Sequence, residues 1–435
     1  MKKLFLSMGF VALVAVAASG YVYTNYIRNT PTTPTTAFQT PEEANIYVRF
    51  DMEAFDKIKA NYWNKLSDAD LAEHFHLSLQ KALGTNTTLG STTRAAVAQM
   101  LSAAFLATSS PAGQRLLAAQ TVSIALQNLQ PVTRSGLLSQ AQVTQLSQEV
   151  TNVNPSVDLY QNLGLEKGAK PEAVDAAYKA KEATLAGTTS PEGKAQLKEV
   201  AYAHKVLTDT NSKSLYDQAQ IEPTIFSHTL GKTLYLNITK IAPNTLREFA
   251  LAVDAASTTP LDSLLIDLRG NIGGDLSFLQ GFLGLFVGQN EYAFDLYHLG
   301  DYVPERTTVP YFEELGRFRQ IALLTDNMTQ STAELTATTF KKFHLGVVVG
   351  GTTRGWGTVE QVIPMDTVID PNTKYTMLLV SSITLREDNQ PIESRGVTPN
   401  IDTSLATWRN ELGQYFMSAS LIRALKEEAT TPPLK

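Results

Sequence analysis

Two short apolar runs constrain this chain most: Leu264 to Leu268, broken only by Asp267, and Ile321 to Thr325, each stopping at a turn before a helical pattern. Runs of this length read as buried strands. Thr233 to Ile238 reads as a further strand and Leu246 to Val253 as a helix, so from about Gly231 onward strand and helix alternate. That alternation is the mark of an α/β layer architecture.

The two turns carry the chemistry. The first reads Asp267-Leu268-Arg269-Gly270-Asn271-Ile272-Gly273-Gly274 and opens a helix from Asp275 to Val287. Its glycines allow backbone N–H groups to turn toward a bound oxygen, as an oxyanion hole requires. They also suit tight packing or a phosphate, although neither G-x-G-x-x-G nor a Walker lysine is present. The second turn reads Asp326-Asn327-Met328-Thr329-Gln330-Ser331-Thr332-Ala333-Glu334-Leu335, with a helix to about Phe343. A hydroxyl there meets the free N–H groups and positive dipole end of a helix, which favour an activated nucleophile. Ser331 with Glu334 equally satisfies a capping box, so this segment alone also fits an ordinary helix cap.

Composition closes several alternatives. The chain has 435 residues, no cysteine, six scattered histidines and a net charge of -6. Thiolate chemistry and disulfides are excluded, the histidines lack metal-ligand spacing, and no basic run offers a footprint for nucleic acid. Catalysis rests on hydroxyls, carboxylates or amines.

Upstream, Lys2 and Lys3 precede an uncharged stretch from Leu4 to Ile27. Its length of about 24 residues suffices to cross a hydrocarbon core. Residues 1–28 are therefore expected to be a transmembrane signal anchor, with the bulk of the chain outside the cytoplasm. Ala15-Val16-Ala17 offers the competing reading, a cleaved signal peptide. Residues 29–40 form a Pro/Thr linker. From 41 to 150 a helical region is expected: a hairpin to Leu83, then charge-poor helices whose only charged residues between Lys81 and Glu149 are Arg94, Arg115 and Arg134, with breaks near Pro111 and Pro131.

Residues 156–220 open with Asp-Leu-Tyr-Gln-Asn-Leu-Gly-Leu, continue through a helix bearing Tyr178 and close on Leu215-Tyr216-Asp217. This segment resembles a J-domain, which would imply a co-chaperone. Ala186-Gly187-Thr188 stands where a working J-domain has His-Pro-Asp, so an Hsp70-type partner is not expected and a helical docking module is.

Four motifs in order resemble peptidase family S41, the tail-specific (C-terminal processing) serine proteases. They are the Asp267 to Gly274 turn, Thr329-Gln-Ser-Thr-Ala-Glu-Leu335, Val349-Gly-Gly-Thr-Thr-Arg-Gly355 and Ile392-Glu-Ser-Arg-Gly-Val-Thr-Pro-Asn400. The resemblance implies a crotonase/ClpP-like α/β core over 228–408, followed by a C-terminal helix and tail over 409–435. It implies a polypeptide substrate, no cofactor and no metal. Ser331 would be the nucleophile, Gly273, Gly274 and Thr332 the oxyanion donors, and Asp267, Arg269, Glu334 and Thr353 supporting residues. The family's catalytic lysine follows the third motif, and here that position is Trp356, which cannot accept a proton. Substitute bases are Lys341, Lys342, His344, or His228 acting with Glu393. The family's PDZ-like module is replaced by the J-like segment. Two functions follow: a serine peptidase of exported proteins acting through Ser331, or a pseudopeptidase that binds polypeptides or scaffolds a complex.

Overall fold

The structure is a computed structural model that describes residues 38–433. The expected anchor, residues 1–28, and most of the linker lie outside the described residues. Among the described residues no helix is long and apolar enough to cross a membrane.

The C-terminal half is built on a six-stranded sheet. Its strands run in the order Ile401–Asp402, Val347–Gly350, Gln320–Thr325, Ser263–Asp267, Thr233–Ile238, Ile225–Leu230. All neighbours are parallel except the hairpin formed by the last two. Alternate side chains point to opposite faces, and both faces are buried. Leu234, Leu236, Leu264, Ile266 and Leu323 face helices Thr245–Ala255, Ser277–Val287 and Thr332–Lys342, with Phe249, Phe282 and Phe340 fully buried between them. Each such side chain contributes about 1.5–3 kcal/mol by leaving water. Tyr235, Leu265, Ala322, Leu324 and Val349 face Trp408, Leu412, Leu421 and Leu425. The segment expected as an appended tail thus supplies the sheet's second covering layer, because the strands are apolar on that face too.

A second, wholly antiparallel sheet joins Gly136–Ser139, Tyr375–Thr384, Tyr292–His298, Asp301–Arg306 and Thr358–Pro364. Helices Ile46–Asn61, Asp68–Leu83, Arg94–Ala107 and Pro111–Asn128 share a core with it through Phe50, Phe55, Phe75 and Leu126 against Met377, Leu379 and Ile383. Region 41–150 is therefore not purely helical: Gly136 to Ser139 pairs with Leu378 to Tyr375. Its charge-poor helices bury their apolar faces on this sheet and on one another.

Helices Leu159–Leu163, Pro171–Leu185, Pro191–Thr208 and Thr210–Ala219 enclose a core of their own around Tyr160, Val174, Val200, Val206 and Tyr216, extended by Phe226. Ala186 caps the first long helix and Gly187, at φ +83°, makes the bend toward the second.

Candidate active site

Ser331 sits between strand Gln320–Thr325 and helix Thr332–Lys342 with φ 56° and ψ −127°. A side-chain-bearing residue held there costs on the order of 1–3 kcal/mol, and such strain concentrates where a nucleophile is presented on a strand-to-helix turn. The capping-box arrangement expected of Ser331 and Glu334 is present. The Ser331 N–H donates to Glu334 Oε2 at 2.9 Å, and the Glu334 N–H, which faces the Ser331 side chain, makes its hydrogen bond to the Ser331 carbonyl at 2.8 Å. The hydroxyl itself makes no full cap hydrogen bond to the first turn.

The glycine turn lies against it. Gln330 N–H donates to the Asn271 carbonyl at 2.8 Å, and the Asp326 carboxylate accepts N–H groups from Gly270 and from Met328 and Thr329, lacing the two turns together. A Cβ on Gly273, at φ +86°, would stand 2.6 Å from the Ser331 Cβ. One on Gly274 would stand 1.8 Å from the Ile241 carbonyl oxygen. Of the three expected oxyanion donors, Gly273 is occupied, because its N–H donates to Asn271 Oδ1 at 2.8 Å. The N–H groups of Gly274 and Thr332 have no hydrogen-bond partner among the described residues, and Thr332 Oγ1 donates to the Gly274 carbonyl at 2.9 Å, fixing the two together. This pair suits a developing oxyanion.

Glu334 joins Ser331 to the third motif. Its buried carboxylate accepts from Ser331 N–H, Thr353 Oγ1 at 2.5 Å, Gly355 N–H at 2.7 Å and Trp356 N–H at 2.8 Å. Burial pushes its pKa up, and the four donors pull the other way. Thr353 Oγ1 in turn accepts the Val397 N–H at 2.7 Å. Asp267 and Arg269 form a buried ion pair at 2.6 Å, and Arg269 Nη1 donates to the Thr431 carbonyl at 3.0 Å. They support the turn from behind and tie it to the segment after the last helix.

These four motifs, ordered in sequence and converging in space, agree with the family comparison, in which the model of peptidase family S41 matches residues 232–403. This segment belongs to peptidase family S41. The carboxy-terminal processing protease CtpB of Bacillus subtilis (strain 168) is 28% identical over 183 residues, 41% of this chain and 35% of that protein. The match therefore spans about a third of that relative's length. Similar solved structures include the photosystem II D1 C-terminal processing protease (13% identity, TM-score 0.49, 89% of this chain and 99% of that one). Another is a lipoprotein from Streptococcus agalactiae (14% identity, TM-score 0.44, 88% of this chain and 100% of that one).

Trp356, which stands where the resemblance leads one to expect a lysine, is held by its backbone beside Ser331 through Glu334. The proposed substitutes are not brought to the serine. Lys341 donates to the Thr398 carbonyl and pairs with Glu387, and Lys342 donates to the Tyr292 hydroxyl, because both lie in the last turn of the helix that Ser331 begins. His344 is exposed just beyond that helix. His228 and Glu393 do not meet: His228 pairs with Glu428 at 3.2 Å across the far edge of the sheet, whereas Glu393 pairs with Arg134 at 2.9 Å. Among the described residues no group of three His, Asp or Glu side chains converges as a metal site would need.

Sequence reasoning missed two residues beside Trp356. Arg134 stacks its guanidinium 3.3 Å from the centre of the Trp356 ring. Glu360 accepts Trp356 Nε1–H at 3.3 Å and Thr358 Oγ1–H at 2.5 Å, and burial pushes its pKa up against those donors and the Arg134 charge. The signal for Arg134 was its isolation: a lone charge in a charge-poor stretch has a specific partner.

Proposed function

We propose that the chain is a serine peptidase of the tail-specific type that hydrolyses peptide bonds in exported polypeptides through Ser331, outside the cytoplasm and tethered by residues 1–28. The observation that carries this reading is the Ser331 backbone at φ 56°, with a hydroxyl that makes no side-chain cap hydrogen bond, beside N–H groups of Gly274 and Thr332 that have no partner among the described residues. Attack by the hydroxyl oxygen on a peptide carbonyl carbon would place the new oxyanion on those two donors, while strain already held in the folded chain keeps the nucleophile presented. The relationship to CtpB, a carboxy-terminal processing protease by name, supports a polypeptide substrate.

A second reading, a pseudopeptidase that binds or scaffolds polypeptides, is favoured by Trp356 and its Arg134 stack at the lysine position. The J-like helices, with their own core and without His-Pro-Asp, serve under either reading as a docking module. One experiment separates the two. The ectodomain is treated with a fluorophosphonate and, separately, with an unstructured polypeptide. The peptidase reading expects adduct on Ser331 and cleavage products, both lost in Ser331→Ala. Polypeptide binding with neither adduct nor cleavage would establish the pseudopeptidase instead.

A further inference from the structure

The segment Gly355 to Thr358 is held by three carboxylates. Glu334 takes the Gly355 and Trp356 N–H groups, Glu393 Oε2 takes the Gly357 N–H at 2.8 Å, and Glu360 takes Trp356 Nε1–H and Thr358 Oγ1–H. Three carboxylates on four residues repel one another unless a cation answers them. The side chain that answers comes from elsewhere in the chain. Arg134 Nη2 lies 2.9 Å and Nε 3.3 Å from Glu393 Oε1, and the same guanidinium covers the Trp356 ring. Both Arg134 and Glu393 side chains are largely shielded, at 17% and 11% exposure, so water does little to weaken the pair.

Arg134 is itself anchored. It lies between helix Pro111–Asn128 and strand Gly136–Ser139, in a connection whose Gln130 carbonyl accepts hydrogen bonds from the Tyr62 hydroxyl and, at 2.6 Å, from Trp63 Nε1–H. The next residue, Ser135, is also fixed, its hydroxyl accepting the Val380 N–H at 3.1 Å. The helical N-terminal region therefore presents Arg134 from a rigid frame, and the planar guanidinium can stack and pair at once, which a lysine cannot.

We propose that Arg134 is a positioning residue for the Ser331 site: by clamping Trp356 and Glu393 together it sets the Gly355–Thr358 loop, and through Glu334 the nucleophile, so that the helical N-terminal region completes the peptidase half. Its bearing on chemistry rests on the peptidase reading of Ser331, whereas its bearing on the loop does not.

The full chain carrying Arg134→Gln or Arg134→Lys is compared with the unaltered chain in two measurements. The first is acrylamide quenching and emission wavelength of Trp356, taken as the difference from the Trp356→Phe chain. The second is the rate of fluorophosphonate adduct formation at Ser331. Arg134→Gln is expected to raise quenching, shift emission to the red and slow labelling about tenfold through misplacement of the nucleophile. Arg134→Lys, which keeps the charge but not the stack, is expected to fall between. Arg115→Gln serves as the control, since it breaks the Arg115–Asp370 pair of the same helical region away from the site. Unchanged quenching in Arg134→Gln, or equal slowing in Arg115→Gln, would overturn the clamp. If the unaltered chain takes no label, the peptidase reading fails and the quenching measurement alone decides the clamp.

Discussion

The two sides of the Ser331 site have been treated differently. On the glycine side, backbone does most of the work: Gly273 and Gly274 leave no room for a Cβ, and the N–H groups of Gly274 and Thr332, without a partner among the described residues, are fixed beside the serine by the Thr332 hydroxyl. On the Gly355 side the work belongs to side chains, and where the resemblance leads one to expect a lysine there stands a tryptophan under an arginine. Backbone geometry is shared by many residues and fails as a unit when disturbed, whereas a side chain changes with one substitution and the fold survives. A backbone anion site can therefore persist while a neighbouring side chain is exchanged, and an S41 fold by itself speaks for the first more than for the second.

The glycine side should break hardest. Gly274→Ala places a methyl 1.8 Å from the Ile241 carbonyl oxygen at φ +142°, so both contact and backbone oppose it. A loss on the order of 4 kcal/mol or more is expected, in the class of exceptional single-site effects. Chemical denaturation measures it, and a chain as stable as the original would mean that the turn is looser than its packing implies.

Trp356→Lys tests the other side. It places an amine where the resemblance expects the base; burial and the Arg134 charge lower that amine's pKa toward the neutral form that accepts a proton, while the neighbouring Glu360 carboxylate raises it. Hydrolysis of an unstructured polypeptide is expected to rise about 10²-fold, the lower end of what a positioned general base contributes. A folded Trp356→Lys chain with no gain would show that the missing lysine is not what limits this site, and the contrast between the two sides would lose its meaning.

Much of the glycine side was legible in the sequence because it is local. The strand and helix that flank Ser331, the glycine turn and the motif order all follow from spacing within a few residues, and the strands from Thr233, Leu264 and Ile321 fall within a residue of where their apolar runs put them. The Gly355 side was only half legible. Trp356 could be seen as a departure, but its partner Arg134 and the strand after it, Gly136 to Ser139, come from the region read as helical, and pairing over such separations leaves no trace in periodicity. The charge pattern held a clue all the same. Each of the three arginines in the charge-poor stretch has a specific acid: Arg94 meets Glu43 and Asp56, Arg115 meets Asp370, and Arg134 meets Glu393. An isolated charge in apolar company is kept by a partner, although sequence does not say which.

His228 offers the smallest and most discriminating test of the contrast. Sequence reasoning allowed it as a base with Glu393, and the fold separates them: His228 lies tilted against Tyr235 and meets Glu428 at 3.2 Å, with 43% of its side chain exposed. A contact so open to water contributes little, so His228→Ala should change stability by about 0.5 kcal/mol or less and leave the Ser331 labelling rate unchanged. A marked drop in labelling with stability intact would put an imidazole back in the proton path. The Gly355 side would then be the wrong place to look for the base, and the tryptophan there would be an ordinary substitution in a site that works by another route.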